Sequence, residues 1–124
     1  MVDDNPIDVT IARRVYERSE LPNPFITFSG GAEFLEYLEL VKTGEAETPA
    51  IVLLDINMPV MNGFETVQNI RKQNEFSHIP VIIMFTNSDD PADMERAIEL
   101  GANGFQTKYF EIEKYTEFFN SLKA

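Results

Sequence analysis

Apolar residues recur along this chain in two rhythms. Ile51-Val52-Leu53-Leu54 and Val81-Ile82-Ile83-Met84-Phe85 are short unbroken runs rich in β-branched side chains, and each ends in a small polar residue, Asp55 in one and Thr86 in the other. Runs of this length and composition predict strands buried on both faces of a sheet. Elsewhere apolar positions return every three or four residues: Ile7, Ile11 and Val15; Phe34, Leu35, Leu38 and Val41; Phe64, Val67 and Ile70; Met94, Ala97, Ile98 and Leu100; Ile112, Tyr115, Phe118, Phe119 and Leu122. That spacing predicts five helices, each with one buried stripe.

Breakers set the boundaries. Pro6 suits the first turn of a helix running to about Leu21, where Leu21-Pro22-Asn23-Pro24 ends it, and Phe25–Phe28 reads as a short strand closed by Ser29-Gly30-Gly31. Gly44 stops the second helix, and the polar loop from Glu45 to Pro49 leads into the run ending at Asp55. The third helix is expected from Gly63 to about Asn74, followed by a strand over Pro80–Phe85. Asp89-Asp90-Pro91 opens the fourth helix and Gly101 closes it; Gly104–Thr107 is a weaker strand with Lys108 at its end, and Glu111–Leu122 is the last helix. Strand and helix therefore alternate, and right-handed crossovers turn that alternation into a parallel sheet covered on both faces. The expectation is an α/β three-layer sandwich forming a single domain over residues 1–124.

Composition narrows the function. With 21 acidic against 10 basic side chains the formal net charge is −11, which opposes binding to phosphate backbones or anionic membrane surfaces. The absence of cysteine excludes disulfides and thiolate chemistry, and the single His78 cannot build a histidine metal cluster. No apolar run approaches the roughly 20 residues of a membrane span, and no basic segment followed by an apolar core opens the chain. A cytoplasmic protein is expected.

In a parallel sheet the carboxyl ends of the strands share one edge, so Asp3, Asp4, Asp55, Thr86 and Lys108 are expected around one crevice. Three carboxylates close together repel unless a cation compensates them, and oxygen ligands of this kind suit Mg²⁺. Screened in that way, Asp55 could meet a phosphate, with Lys108 and the Thr86 hydroxyl contacting its oxygens; carboxylates acting as phosphoryl acceptors are an established chemistry.

Asp3-Asp4-Asn5-Pro6, the run Leu53-Leu54-Asp55-Ile56-Asn57-Met58-Pro59 with Asn62-Gly63, Thr86, and Glu99-Leu100-Gly101-Ala102-Asn103-Gly104-Phe105 leading to Lys108 together resemble the receiver domain of two-component response regulators, over essentially the whole chain. The resemblance implies a flavodoxin-like, doubly wound sheet of order 2-1-3-4-5. It implies that Asp55 is the phosphoacceptor, served by a histidine kinase or histidine phosphotransfer protein, and that Mg²⁺ is held by Asp4 directly, Asp3 through water, Asp55, and the Asn57 backbone carbonyl. Thr86 and Phe105 would be the switch pair, Lys108 the phosphoryl-pairing lysine, and Met58 a neighbour that influences dephosphorylation. The expected output is a downstream protein target bound through the helix from about Pro91 to Leu100, the following strand and the last helix. Direct contact with nucleic acid or membrane is not expected.

Two features depart from that pattern. Only Met1 and Val2 precede the acidic pair, where a strand ordinarily has five or six residues, so the first strand is expected to be truncated; either residues lie upstream, or another segment repairs the gap, for example by exchange between two copies. Tyr109 stands where receivers carry a proline after the lysine, so a trans bond and a displaced Lys108 are expected. Two other readings compete: a pseudo-receiver that only binds proteins, and a Mg²⁺-dependent phosphohydrolase. The latter would want an acid two residues after Asp55, where Asn57 stands.

Overall fold

The computed structural model describes residues 1–122; Lys123 and Ala124, with which the expected domain closes, lie outside the described residues. Its elements are α1 (Pro6–Arg18), α2 (Gly31–Lys42), β1 (Ile51–Leu54), α3 (Gly63–Arg71), a single 3₁₀ turn (Asn74–Phe76), β2 (Val81–Thr86), α4 (Pro91–Leu100), β3 (Gly104–Thr107) and α5 (Ile112–Ser121). β1, β2 and β3 are parallel and adjacent in that order, with Leu54 opposite Met84 and Thr86 opposite Thr107.

Strand alternation divides the core. Val52, Leu54, Ile82 and Met84 face α2, α3 and α4, where Phe34, Leu38, Phe64, Val67, Ile70 and Ala97 are buried. Leu53 and Phe85 face α1 and α5, against Ala12, Val15, Tyr115 and Phe119. Burial on both faces explains why these strands read as continuous apolar runs. The helices start where local chemistry favours it. Asn5 caps α1 by accepting from the Ile7 and Asp8 N–H groups, Asn62 and Glu65 form a capping box at α3, and Asp90 caps α4 ahead of Pro91. Gly101 ends α4 at φ 115°, in the left-handed region.

Several boundaries differ from expectation. α1 ends at Arg18, and α3 ends at Arg71 rather than near Asn74, because Arg71 turns inward to donate to the carbonyls of Gly101, Phe76 and Pro80 and to Asn103 Oδ1. The expected strand over Phe25–Phe28 is reduced to a bridge at Phe28. The reason lies in its neighbour. Val2 alone bridges both Phe28 and Leu54, so the order Phe28, Val2, β1, β2, β3 reproduces 2-1-3-4-5 with the first two strands cut to single bridges. Val2 N–H donates to Leu53 (2.7 Å), Asp55 N–H to Val2 (3.0 Å), Asp3 N–H to Phe28 (3.0 Å) and Phe28 N–H to Met1 (2.9 Å). Within one chain, no other segment among the described residues extends these bridges into full strands.

The Met1 amine is buried and donates to the Ile26 carbonyl at 2.8 Å. Burial, with Arg13 nearby, pushes it down from 8.0 to about 5, so the folded state holds fewer protons than the unfolded chain between those values. Stability is therefore greatest above about pH 8 and is lost progressively as pH falls from 8 to 5, by about 4 kcal/mol. Urea titrations of this polypeptide are expected to show stability falling between pH 8 and 5, and acetylation of the amine is expected to flatten that part of the profile.

Candidate functional site

β1 ends at Leu54, which puts Asp55 at the carboxyl edge of the sheet. The segment after it doubles back tightly enough that Gly63 lies against the Asp55 backbone: a Cβ there would run into the Asp55 carbonyl oxygen and the Ile56 Cα. Glycine is therefore required for α3 to begin beside the site. On the neighbouring line of chain, Asp3 and Asp4 leave the Val2 bridge and turn at once. Asn5 N–H donates to Asp3 Oδ1 at 2.9 Å while the Asn5 side chain caps α1, so the first turn of α1, with Asp8, faces the same hollow. Lys108 follows β3 and donates its N–H to the Thr86 carbonyl at 2.7 Å.

These elements enclose a crevice of about 450 Å³ lined by Asp4, Asn5, Asp8, Asp55, Asn57 and Lys108 among others. Lys108 is 6% exposed, and its Nζ stands 2.7 Å from both Asp3 Oδ2 and Asp8 Oδ2 and 3.5 Å from Asp55 Oδ2. Burial alone would push its ammonium down, but Asp3 and Asp8, with Asp55 behind them, outweigh burial and hold it well above the ordinary lysine value. Burial pushes the Asp3 carboxyl up, against the opposing pull of Lys108 and of the Asn5 N–H. A lysine buried without those partners would lose its charge; here the charge is locked in place.

The expected residues meet, with exceptions. Asp3, Asp4 and Asp55 each offer an oxygen within 4.8 Å of the others. Asn57 lies exposed on the crevice, and no backbone N–H among the described residues is bonded to its carbonyl. Thr86 is fully buried beneath the crevice rather than lining it, and its Oγ1 has no hydrogen-bond partner. Phe105 sits opposite Met84 in the sheet, half-buried against the α2–α3–α4 core. Met58, expected to border the crevice, is instead buried in that core. The only cis peptide bond among the described residues precedes Pro80, so the bond before Tyr109 is trans as expected. The expected displacement of Lys108 is not seen: its Nζ stays within reach of Asp55 at 3.5 Å beside its 2.7 Å pairs with Asp3 and Asp8, while Tyr109 packs against Phe85 and Tyr115, with ring centroids at 6.2 and 5.5 Å. Asp8 was not anticipated. The available signal was its place in the first turn of a helix that begins directly after the acidic pair.

The donor set fits a hard divalent cation. All candidate ligands are oxygens, and three are carboxylates whose oxygens lie within reach of one ion.

Comparison with known proteins places the fold. Residues 1–120 match the family model described as the response regulator receiver domain. The chain is 28% identical over 113 residues to the probable methanogenesis regulatory protein FilR2 of Methanothrix harundinacea, covering 91% of this chain and 72% of that protein. Several other curated relatives are much longer: the chain spans 47% of the two-component response regulator ORR1 of Oryza sativa and 13% of the sensor histidine kinase CheAY of Helicobacter pylori. Among solved structures it is similar to the response regulator RPA3017 in red light signaling of R. palustris, with TM-score 0.85 and 30% identity over 98% of this chain and 87% of that one. It shares the fold of the Mn(2+)-bound form of response regulator Rcp1, with TM-score 0.83 and 20% identity over 98% and 88% of the two chains. The fold and the edge-clustered acids define a flavodoxin-like signalling module. The chain belongs to the response regulator receiver domain family of two-component signalling.

Because Lys108 is buried among acids, removing its charge while keeping its stem isolates the electrostatics. Lys108→Met is expected to lower the metal-free unfolding free energy by about 3 kcal/mol, read from urea titration at neutral pH; an unchanged midpoint would mean that the cluster relaxes freely into water.

Proposed function

We propose that Asp55 accepts a phosphoryl group from a histidine kinase or histidine phosphotransfer protein, and that the chain acts as one receiver unit switching a protein-binding surface. The observation carrying this reading is the placement of Asp55 between the acidic pair and Lys108, beside a buried Thr86 hydroxyl that has no partner. One Asp55 oxygen attacks the phosphorus of the donor phosphohistidine, the P–N bond breaks, and the imidazole leaves with the electron pair and takes up a proton, leaving an aspartyl phosphate. Asp3, Asp4, Asp55 and the Asn57 carbonyl would hold Mg²⁺, whose charge, when bound, lets the phosphoryl oxygens approach three carboxylates. Support for a divalent ion comes from this oxygen-only donor set and from the Mn(2+)-bound form of the fold relative.

The new anion offers an acceptor to the Thr86 hydroxyl and a further partner to Lys108, beside Asp3, Asp8 and Asp55. Movement of Thr86 vacates space beside β3, and Phe105 turns into it. Met94, Ile98, Phe110 and Ile112, exposed on α4, after β3 and on α5, supply apolar contacts for a downstream protein target. No helix among the described residues is long and apolar enough to cross a membrane, and the charge of −11 disfavours nucleic acid; both suit a cytoplasmic signalling partner. The phosphohydrolase reading is weaker, since the Asn57 side chain cannot act as a general acid. A pseudo-receiver that only binds proteins is favoured by one observation, the 2.7 Å pairing of Lys108 with Asp3 and Asp8 against 3.5 Å to Asp55.

Intact mass after incubation with a small phosphodonor and Mg²⁺ separates these readings. One added phosphoryl group is expected in the native chain and none in Asp55→Asn; addition to both would remove Asp55 as acceptor, and addition to neither would favour the pseudo-receiver. Asp8 competes with the phosphoryl group for Lys108, so Asp8→Asn is expected to raise the steady-state phosphorylated fraction about threefold or more in the same mass assay.

A further inference from the structure

Lys108 is shared between two kinds of carboxylate. Its Nζ stands 2.7 Å from Asp3 Oδ2 and 3.5 Å from Asp55 Oδ2, and both of these acids belong to the trio whose oxygens can face one ion. Its third partner, Asp8 Oδ2 at 2.7 Å, lies outside that trio. A divalent cation among Asp3, Asp4 and Asp55 therefore draws on oxygens that the ammonium already uses, and the two positive charges repel each other at short range. For both to be present, an anion that the ion does not use must hold the lysine.

Water does not fill that role. The Lys108 side chain is only 3% exposed, its main-chain N–H is fixed to the Thr86 carbonyl, and the following residue, Tyr109, is packed against Phe85 and Tyr115. A lysine kept from solvent whose partners turn to an ion is an uncompensated buried charge, which opposes entry of the ion. Asp8 is placed to remove that penalty. It sits in the first turn of α1, whose direction the Asn5 cap fixes, and it accepts a hydrogen bond from Lys108 across 100 positions of sequence. Its side chain is 21% exposed, so the carboxylate keeps part of its hydration while it pairs with the buried ammonium.

We propose that Asp8 is a positioning residue that parks the Lys108 ammonium, so that Asp3 and Asp55 can turn to a divalent cation without leaving an unpaired buried charge behind them. The inference rests on the cation reading given above and adds where the lysine stands once the acids are engaged: beside Asp8, on the wall of the same crevice, within reach of an incoming anion. Two simpler roles predict different behaviour. If Asp8 only adds negative charge to the crevice, its effect on cation affinity is independent of Lys108. If it only ties α1 to the sheet edge, its loss changes stability and leaves cation affinity unchanged.

The probe is Mg²⁺ alone, titrated calorimetrically into the full chain and into Asp8→Asn, Lys108→Met and the double variant. Asp8→Asn is expected to weaken Mg²⁺ binding about tenfold or more, and Lys108→Met, which removes the competing cation, to tighten it about tenfold. With Lys108 already replaced, Asp8→Asn is expected to weaken binding by less than about threefold, because the parking role has no lysine to act on. A second readout uses no Lys108 variant: the NMR signal of the Lys108 ammonium is expected to persist in the native chain saturated with Mg²⁺ and to be lost by rapid exchange with water in saturated Asp8→Asn. An equal loss of affinity in the two backgrounds, an unchanged affinity in Asp8→Asn, or an ammonium signal that vanishes from the native chain on saturation would each overturn the parking role while leaving the cation reading in place. Absence of saturable Mg²⁺ binding by the native chain would overturn both. Phosphorylation of Asp55, read by mass at saturating Mg²⁺, reports on the transfer separately.

Discussion

The edge of this sheet collects more negative charge than it can hold unaided. Asp3, Asp4, Asp8 and Asp55 converge there, and one buried ammonium, that of Lys108, is the cation placed among them. Burying a charge without partners is costly, and burying several of one sign is costlier, so Lys108 and the acids stabilise one another's ionised forms. Their backbones cannot drift apart either, since Lys108 is tied to Thr86, Asp55 to Val2, and Asp3 to Phe28 by main-chain hydrogen bonds. On the proposed reading, a divalent ion entering the acidic cluster would relieve the repulsion that Lys108 now balances and would leave the lysine available to an incoming anion.

What brings the acids together is a very short piece of sheet. Val2 bridges Phe28 and Leu54, and this one residue sets where Asp3 and Asp4 emerge relative to Asp55. A ladder so brief would be weak in isolation; here it is flanked by β1 and capped by the helix that begins at Pro6. The Asn5 cap matters for the same reason. It fixes the direction of α1 within four residues of the bridge and so delivers Asp8 to Lys108.

The layered fold was legible because β1 and β2 are buried on both faces and the helices carry clear stripes, two periods that do not mimic each other. Asp55, the acidic pair and Lys108 were legible because strand ends in a parallel sheet share an edge. Other features were hidden for physical reasons. Phe25–Phe28 has the composition of a strand, but a strand needs a partner along its length, and only Phe28 has one. Arg71 reads as a charged helix margin, yet it turns inward to four hydrogen bonds, two to the nearby Phe76 and Pro80 carbonyls and two to Gly101 and Asn103, 30 and 32 positions away. Asp8 escaped notice because its role depends on which way α1 leaves the turn, a matter of the Asn5 cap rather than of any spacing between acids. The trans bond before Tyr109 was foreseen, but the displacement of Lys108 expected from it did not follow, since the lysine still reaches Asp55 and Tyr109 packs on Phe85 and Tyr115, contacts that no local pattern reveals.

The line of backbone that carries the acids is held from both sides. Val2 is bonded to Leu53 and Asp55, and Asp3 to Phe28, so where Asp3 and Asp4 emerge relative to Asp55 is set by main-chain hydrogen bonds rather than by the acids themselves. On the proposed reading the two are coupled through linkage: whatever stiffens the Val2 bridges would favour the arrangement in which the three carboxylates are closest, and a cation drawing them together would tighten those bridges in return.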